Sequence, residues 1–221
     1  MTYIIIAVGT VLFAYLIGSV NFAVIIAKIF SGKDVRNLGS GNAGTTNVLR
    51  TVGFLPGLLT FVLDALKGFV ACFAGKLVFE KLYELTSNDI YNFSAGSYLC
   101  LVFVMLGHIY PIFFGFRGGK AVAVSVGTYA VCCYPAILLG LLVFAIMLFV
   151  SRIVSLSSLA ATVTVVATSI LFMDFTNPSA VQIICTVTAG LLVFLKHKDN
   201  IIRLKNGEEK KITIGRKGKN G

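Results

Sequence analysis

Charged residues are scarce in this chain: only 13% of its 221 residues are Asp, Glu, Lys or Arg, and just 9 of these are acidic. The first charged side chain is Lys28, so residues 1–27 carry none. With 57% hydrophobic residues and a mean hydropathy of +0.91, the composition is far more apolar than that of a soluble domain of this size. The sequence therefore predicts an integral membrane protein.

The apolar segments lack the period-two alternation of a membrane β-barrel. Helices satisfy their own backbone hydrogen bonds in lipid, so we expect an all-α fold. The amino-terminal segment lacks the basic region and the small-residue cleavage site of a signal peptide, and we interpret it as the first span. Apolar stretches cover residues 3–26, 55–79, 94–114, 122–150, 156–173 and 180–195.

The stretch 122–150 is ambiguous because it is long for one span and is interrupted by Cys132-Cys133-Tyr134-Pro135. Divided into two helices of about 14 residues each, it needs tilting or local bilayer thinning. That division places 16 of the 19 Lys and Arg residues on one side, whereas a single span moves Arg152 and the basic residues after Leu195 to the other. Charge thus predicts about seven transmembrane helices, with the amino terminus outside and the carboxyl terminus cytoplasmic.

The loops on the opposite side, around Glu80–Asp89 and Asp174–Pro178, are mainly acidic or neutral, as this topology requires. The sequence shows no internal repeat and no second domain. We expect one membrane-embedded domain over residues 1–221 with a basic cytoplasmic tail from about residue 198. The basic part, from Lys205 to Lys219, is expected to be solvated or to bind lipid headgroups.

Two further absences limit the function. The cysteines show no metal-ligand spacing and are interpreted as buried structural thiols, and no metal or cofactor is expected. The net charge of +10 could suggest nucleic acid, but the basic residues are interleaved with membrane segments, so no nucleic-acid partner is expected. The five cysteines are Cys72, Cys100, Cys132, Cys133 and Cys185.

The segment 36–50 stands out because it sets small polar side chains, three glycines and two arginines between apolar segments. Glycine lets a backbone approach a ligand closely, and Ser, Thr and Asn donate further hydrogen bonds. This pattern predicts a phosphate-binding loop at the membrane surface. A simple tight turn is the alternative.

Three other polar segments, at 107–120, 151–155 and 196–200, fall on the same predicted membrane face. Together they offer hydroxyls, amides, cations and imidazole but almost no carboxylate, which favours an anionic ligand. Structural alternatives remain for each: Arg117 and Lys120 as headgroup anchors, Ser155 as an interhelical donor, and His197 as an interfacial residue. His108 is interpreted as structural.

Asp64 and Lys67 stand three residues apart in an apolar segment, close enough on a helix to neutralise one another. Ions inside a membrane are costly and are often functional. We interpret these two as a structural pair.

The ordered set of motifs resembles the bacterial acyl-phosphate:glycerol-3-phosphate acyltransferase family, known as PlsY, over nearly the whole chain. One short glycine motif would be weak evidence, but a set spaced along a small polytopic protein is specific. The resemblance is carried by Ser40-Gly-Asn-Ala-Gly-Thr-Thr-Asn-Val-Leu-Arg50, Asp64-Ala-Leu-Lys-Gly68, Gly107-His-Ile-Tyr-Pro-Ile-Phe-Phe114, Arg117-Gly-Gly-Lys-Ala-Val-Ala123, Val154-Ser155, His197-Lys-Asp-Asn-Ile201, Arg203-Leu204 and Gly207-Glu208.

This resemblance implies transfer of a fatty acyl group from acyl phosphate to the 1-hydroxyl of sn-glycerol 3-phosphate, giving lysophosphatidic acid and phosphate. Such a reaction begins phospholipid synthesis at the bacterial cell (inner) membrane, with the active site facing the cytoplasm. The expected partners are therefore acyl phosphate, glycerol 3-phosphate and membrane lipid.

The resemblance also implies the site residues. The catalytic set would be Ser40, Asn42, Arg50, Lys120 and His197, and the substrate-binding set Gly41, Gly44, Thr46, Asn47, Gly118, Gly119, Ser155 and Asn200. Within these sets, Ser40, Asn42, Thr46, Lys120 and His197 would hold phosphate groups, the backbone at Gly118 and Gly119 would cradle the acyl phosphate, and Asn200 would support the third motif. Glu208 would be structural.

The chain departs from the usual family pattern at five positions. Ala121 matters most, because it stands where Gly is frequent and its methyl group could crowd the acyl-phosphate loop. The other departures are Asn21 and Ala43 where Pro is common, Thr45 where Ala is common, and Arg117 where Lys is frequent.

No Ser-His-Asp or Cys-His arrangement is evident, and neither histidine is followed four residues later by an aspartate. We therefore expect direct transfer without an acyl-enzyme, in which cations stabilise the leaving phosphate. A phosphate-recognising membrane transporter is the main alternative, although inverted repeats are missing. An alcohol phosphatidyltransferase would need acidic metal ligands, which these segments lack, and a membrane scaffold would need none of these loops.

Overall fold

The computed structural model describes residues 1–173 and 180–212. Helices form nearly all of this part of the chain, and it contains no strand, which confirms the all-α prediction. The α-helices are α1 (Thr2–Gly18), α2 (Phe22–Ser31), α3 (Thr45–Thr51), α4 (Phe54–Thr86), α5 (Phe93–Ile109), α6 (Val122–Cys132), α7 (Tyr134–Ser151), α8 (Val154–Leu171), α9 (Ala180–Lys196) and α10 (Lys198–Lys205).

Five segments within the described residues are long and apolar enough to cross a membrane, and a sixth forms if α9 and α10, which meet at a bend of 58°, count as one. The polytopic prediction is confirmed. The ambiguous stretch does divide, at Cys133, but into helices of 11 and 18 residues instead of two equal halves. At 1.5 Å per residue α6 extends only about 16 Å, roughly half of a hydrocarbon core. The count of seven and the orientation stay predictions.

Helix α4 extends beyond the apolar stretch 55–79 that predicted it. The acidic residues from Glu80 onward were expected in a loop, but α4 continues to Thr86. Lys81 and Glu84 form an exposed ion pair of 2.7 Å along its last turns, and the Thr86 hydroxyl donates to Leu82 O at 2.7 Å. Residues three apart on a helix are neighbours, so opposite charges extend the helix beyond its apolar part. The other loop expected on this side, 174–178, lies outside the described residues.

Helix α5 forms the centre of the bundle and packs against α1, α4, α6 and α9. Small residues allow the closest approach: a Cβ on Gly18 would collide with the backbone of Val104, and one on Gly107 with the backbone of Tyr15. Such residues are typical of membrane helix interfaces, where lipid gives no hydrophobic drive and packing holds helices together. All five cysteines are free thiols, with Cys72, Cys100 and Cys185 buried and Cys132 and Cys133 half-buried.

The segment expected as a basic tail begins as ordered structure. Residues 198–205 form α10, and the backbone N–H of Ile212 donates to Arg152 O at 2.8 Å, so the chain returns to the start of α8. Residues 213–221 lie outside the described residues. Helices α2, α3, α6, α8 and α10 each border one of the polar segments that the sequence singled out.

Candidate active site

The side chain of Asn47, on α3, holds the backbone of the loop 39–44 through hydrogen bonds. Its side-chain oxygen accepts from Ser40 N at 3.1 Å, and its nitrogen lies within 3.1 Å of the carbonyls of Val35, Leu38 and Asn42. Asn47 is 3% exposed, so its amide is fully engaged by the loop backbone. The structure therefore places Asn47 as the support of the loop, and contact with substrate stays a prediction.

Two glycines of this loop need conformations that other residues rarely adopt. Gly39 has φ +57° and Gly41 has φ +73°, the left-handed region that glycine enters without steric penalty. The turns bring Ser40 and Gly41 to the surface and leave Asn42, Gly44 and Thr46 half-buried. Within the described part of the chain, the side chains of Ser40, Asn42 and Thr46 form no hydrogen bond, so they remain available to a ligand.

Gly118 and Gly119 make a tight turn against the end of α5. Their N–H groups donate to Ile109 O at 3.2 Å and to His108 O at 3.1 Å. A Cβ on either residue would collide with His108, with its carbonyl at Gly118 and with its imidazole at Gly119. The glycines are therefore required by the packing of the turn, whereas the sequence had suggested close approach to a ligand. A ligand contact at their backbone stays a prediction.

The conformation of Ala121, next to this turn, is also explained by packing. The residue has φ +61° at the start of α6, which is a strained conformation for a non-glycine residue. It is fully buried and belongs to the hydrophobic core, so its methyl group packs inside the bundle. The alanine thus combines a strained backbone with core packing at the edge of the loop.

Lys120 connects this turn to α10. Its ammonium donates to Oδ1 of Asn200, and Nδ2 of Asn200 donates to Oε1 of Glu209 at 2.6 Å. Burial lowers the pKa of Lys120 to about 8, although the carboxylate of Glu209 opposes the shift. Lys120 thus holds a positive charge that is poorly solvated, which strengthens its interaction with any anion that enters.

Glu209 accepts hydrogen bonds from three side chains on two helices, α8 and α10. Ser155 Oγ donates to it at 2.8 Å and Arg203 Nε at 2.7 Å, in addition to Asn200. Burial alone would raise the pKa of this carboxyl, but these donors outweigh burial and hold it below its usual range. Glu209 is the residue that sequence reasoning missed. Glu208, expected to be structural, is exposed and contributes only its backbone N–H, which donates to Arg203 O at 2.8 Å.

His197 lies at the bend between α9 and α10 and is 3% exposed. Its Nδ1 is 2.8 Å from Val193 O, and because a carbonyl can only accept, Nδ1 carries the proton and Nε2 is left as an acceptor. Burial, reinforced by the charge of Lys120, lowers the pKa of His197 to about 4. The imidazole is therefore neutral at physiological pH.

Contacts join all four polar segments. Ala43 O would lie 2.6 Å from a Cβ on Gly119, Lys120 reaches Asn200, and Ser155 reaches Glu209. Arg50 is exposed and donates to Lys210 O at 3.4 Å, which links the first segment to the last. The convergence expected from charge and topology is therefore present. Arg117 lines an open polar cleft together with Arg36, Gly41 and Gly118, so this cleft borders both the first loop and the Gly118 turn.

An apolar cavity of about 140 Å³ lies between α4, α6, α7, α8 and α9. Val193, whose carbonyl binds His197, lines it, and so does Ser158, one helical turn from Ser155. The cavity therefore adjoins the polar cluster. Its lining comprises Phe61, Val122, Ser125, Val126, Tyr129, Ile137, Gly140, Leu141, Phe144, Ser158, Ala161, Thr162, Val165, Val166, Ala189, Gly190 and Val193.

Fold and site together define an integral membrane protein that sets cations, amides and hydroxyls beside an apolar cavity. The sequence profile of glycerol-3-phosphate acyltransferases matches residues 8–207. A glycerol-3-phosphate acyltransferase of Staphylococcus carnosus is 37% identical over 202 residues, which are 91% of this chain and 95% of that protein. One from Francisella tularensis subsp. holarctica is 39% identical over 209 residues, 95% of this chain and 94% of that protein.

Solved structures agree with these relatives. The crystal structure of PlsY (YgiH), an integral membrane glycerol 3-phosphate acyltransferase, in its glycerol 3-phosphate form superposes with a TM-score of 0.80 at 34% identity, covering 94% of this chain and 96% of that one. Its lysophosphatidic acid form gives 0.78 at 32% identity, covering 94% and 95%. The chain belongs to the glycerol-3-phosphate acyltransferase family, and nothing in the comparisons supports the transporter alternative.

Proposed function

We propose that this protein transfers a fatty acyl group from acyl phosphate to the 1-hydroxyl of sn-glycerol 3-phosphate, yielding lysophosphatidic acid and inorganic phosphate. The observation that carries the proposal is that the polar cluster adjoins the apolar cavity: Val193, which accepts from His197, lines the cavity, and so does Ser158, one helical turn from Ser155. One ligand with a phosphate head and a hydrocarbon tail fits both parts. The relatives bear the name of the acceptor, and the solved structures were obtained with glycerol 3-phosphate and with lysophosphatidic acid.

We propose acyl phosphate as the acyl donor on chemical grounds. An acyl phosphate is a mixed anhydride, so its carbonyl needs no enzyme nucleophile. In the proposed step, the glycerol oxygen forms a bond to the carbonyl carbon while the bond from that carbon to the phosphate oxygen breaks. The hydroxyl proton passes to a phosphate, which balances the reaction as ester plus hydrogen phosphate. Lys120 stabilises the negative charge that develops on the leaving phosphate, and this stabilisation is greatest in the transition state.

His197 and Arg50 divide the remaining tasks. Neutral His197 offers Nε2 beside Lys120 and orients the bound phosphate or its proton. Arg50, exposed and held by a single hydrogen bond of 3.4 Å, binds the phosphate of the acceptor. Ser40, Asn42 and Thr46 supply further hydrogen bonds to phosphate from the first loop. We place the site at the cytoplasmic face of the bacterial inner membrane, because the basic residues gather on that side.

The test measures phosphate release by purified protein given acyl phosphate, with and without glycerol 3-phosphate. We expect acceptor-dependent release in the wild type and a loss of about 10²-fold or more in Lys120→Ala, the size expected when a transition-state contact is removed. Lys198→Ala is the matched control, since this exposed lysine of α10 forms no side-chain hydrogen bond or ion pair within the described residues. Release that ignores the acceptor contradicts transfer.

Two further assays test the identity of the acyl donor and the alternative function of transport. Acyl coenzyme A and acyl carrier protein replace acyl phosphate in otherwise identical assays, and equal rates with either would overturn the donor assignment. Proteoliposomes loaded with glycerol 3-phosphate test transport, and movement across the bilayer without consumption of acyl phosphate would favour a transporter.

A further inference from the structure

Three ionisable side chains lie buried together beneath the candidate site. Lys67 Nζ is 2.8 Å from Asp64 Oδ1, which confirms the pairing expected from their spacing, and His108 Nδ1 is 3.6 Å from the same oxygen. Each of these residues is at most 4% exposed. The proposed transfer step uses none of them directly.

Stability alone does not account for this cluster. Removing ions from water carries a desolvation penalty, and an apolar pair of similar volume is often at least as stable as a buried ion pair. Lys67 is further committed to one geometry, because Nζ donates to Val20 O at 2.6 Å and lies 5.5 Å from the centre of the Phe22 ring. The charged cluster therefore fixes the orientation of neighbouring side chains, which an apolar pair would not do.

The direction that it fixes is that of the His108 imidazole. The Asp64 carboxylate lies 3.6 Å from Nδ1, too far for a hydrogen bond, so its charge favours the orientation in which the opposite edge of the ring faces Gly119. A Cβ on Gly119 would collide with Nε2 and lie 3.0 Å from Cε1. Ala43 O lies 2.6 Å from the same Cβ position. Gly119 is thus enclosed between the imidazole and the first phosphate loop.

Lys120 follows Gly119 directly, so the placement of this turn sets the origin of the Lys120 side chain. The turn is also tied to the end of α5 through the hydrogen bonds to His108 O and Ile109 O. We propose that His108, oriented by Asp64 and Lys67, is a positioning residue that supports the Gly119 turn and thereby aims Lys120 at the reacting phosphate.

This inference rests on the proposed function of Lys120, but its first test does not. Hydrogen exchange of the segment 115–121 reports the N–H groups of Gly118 and Gly119 whether or not the protein is active. In His108→Ala we expect this segment to exchange faster while the rest of α5 and α6 is unchanged. A general loss of stability would instead speed exchange throughout the bundle.

A second variant keeps the imidazole and removes what orients it. Asp64→Leu combined with Lys67→Met exchanges the ion pair for apolar side chains, so no unpaired charge stays buried. We expect the same local increase in exchange as in His108→Ala. Thr60→Val is the matched control, because Thr60 lies one turn earlier on α4, is fully buried and bonds only within its own helix. It should leave both exchange and activity unchanged.

The activity test separates positioning from folding. Misplacement by about 1 Å can lower a rate by about 10²-fold, so we expect a fall of that order in kcat for His108→Ala and for the Asp64→Leu/Lys67→Met variant, with a smaller change in KM for glycerol 3-phosphate. In Lys120→Arg the placement of the lysine no longer matters. Adding His108→Ala to this variant should therefore lower kcat little further.

Three results would overturn the proposal. These are unchanged exchange at 115–121 in both variants, unchanged kcat in the Asp64→Leu/Lys67→Met variant, and losses from His108→Ala and Lys120→Arg that simply multiply. If His108→Ala does not fold, the Asp64→Leu/Lys67→Met variant decides alone. An inactive wild type would contradict the proposed function and leave the exchange result to decide the inference.

Discussion

The hydroxyl of Ser155, at the start of α8, donates a 2.8 Å hydrogen bond to Glu209, 54 residues further along the chain. The same carboxylate oxygen accepts from Asn200. A carboxylate thus stands at the centre of a site whose ligand is expected to be anionic. It holds the neutral and cationic donors in place while it is itself saturated with hydrogen bonds.

Glu209→Gln should therefore damage both stability and activity. The amide loses the ion pair with Arg203 and introduces N–H groups where donors already point, which costs about 2 kcal/mol for charged hydrogen bonds. We expect a lower melting temperature in detergent and at least about tenfold slower transfer. Glu208→Gln removes the same charge one residue earlier from an exposed side chain and should change neither quantity. Equal effects of the two variants would remove Glu209 from the site.

The pH dependence of transfer should reflect Lys120. Its pKa of about 8 means that the ammonium is present below this pH and is lost as the pH rises through it, so kcat/KM, which reports ionisation of the free enzyme, should decline on the alkaline side. The decline should be absent in Lys120→Arg up to about pH 10, because arginine stays protonated, even if the overall rate is lower. Rate profiles in one buffer series at constant ionic strength give the comparison. An identical alkaline limb in both proteins would assign it to another group.

Filling the apolar cavity should select against long acyl chains. A Cβ on Gly190 would stand 2.8 Å from Val166 Cγ2, so Gly190→Leu occupies space that the proposed hydrocarbon tail needs. We expect kcat/KM for a sixteen-carbon acyl phosphate to fall more than that for an eight-carbon one, by about tenfold or more. Gly9→Leu on α1, where nothing lies within 4 Å of the added Cβ, is the control. A parallel fall for both donors would place the tail elsewhere.

The first loop should depend on Asn47 far more than on other polar residues near it. Asn47→Asp exchanges a buried amide donor for an oxygen facing three carbonyls, which we expect to destabilise the protein by about 3 kcal/mol or more. Asn37→Asp makes the same chemical change in an exposed side chain 10 residues earlier and should be neutral. The difference in stability is measured by thermal unfolding, with the loss of bound glycerol 3-phosphate as the signal. Comparable melting temperatures would contradict the role given to Asn47.

Much of this arrangement could be predicted from the sequence, because the composition of a segment indicates whether it lies in lipid or in contact with water. Long apolar stretches placed the helices, and polar interruptions placed the four segments that meet in the site. Helix ends were less predictable where side-chain pairs extend a helix past its apolar part, as Lys81 and Glu84 do. The division at Cys133 was visible as an interruption, but the lengths of α6 and α7 depend on packing against α4 and α8.

The roles of individual residues were harder to predict than their location. A glycine pattern does not say whether close approach serves a ligand or the protein itself, and at Gly118 and Gly119 the neighbour is α5. Likewise, Asn47 belongs to a polar motif but turns inward. Glu208 and Glu209 follow one another in the sequence, and only the turn at Gly207, with φ +73°, determines which carboxylate reaches Ser155.

The tether between Ile212 and Arg152 has a consequence for biosynthesis. Lys120 and Ser155 precede Glu209 in the chain, so the ribosome translates them before the residue that accepts their hydrogen-bond network. Until then the donors of the cluster have no common acceptor, so the newborn chain is inserted but cannot organise its polar pocket. The polar pocket can therefore organise only after the ribosome has passed Glu209.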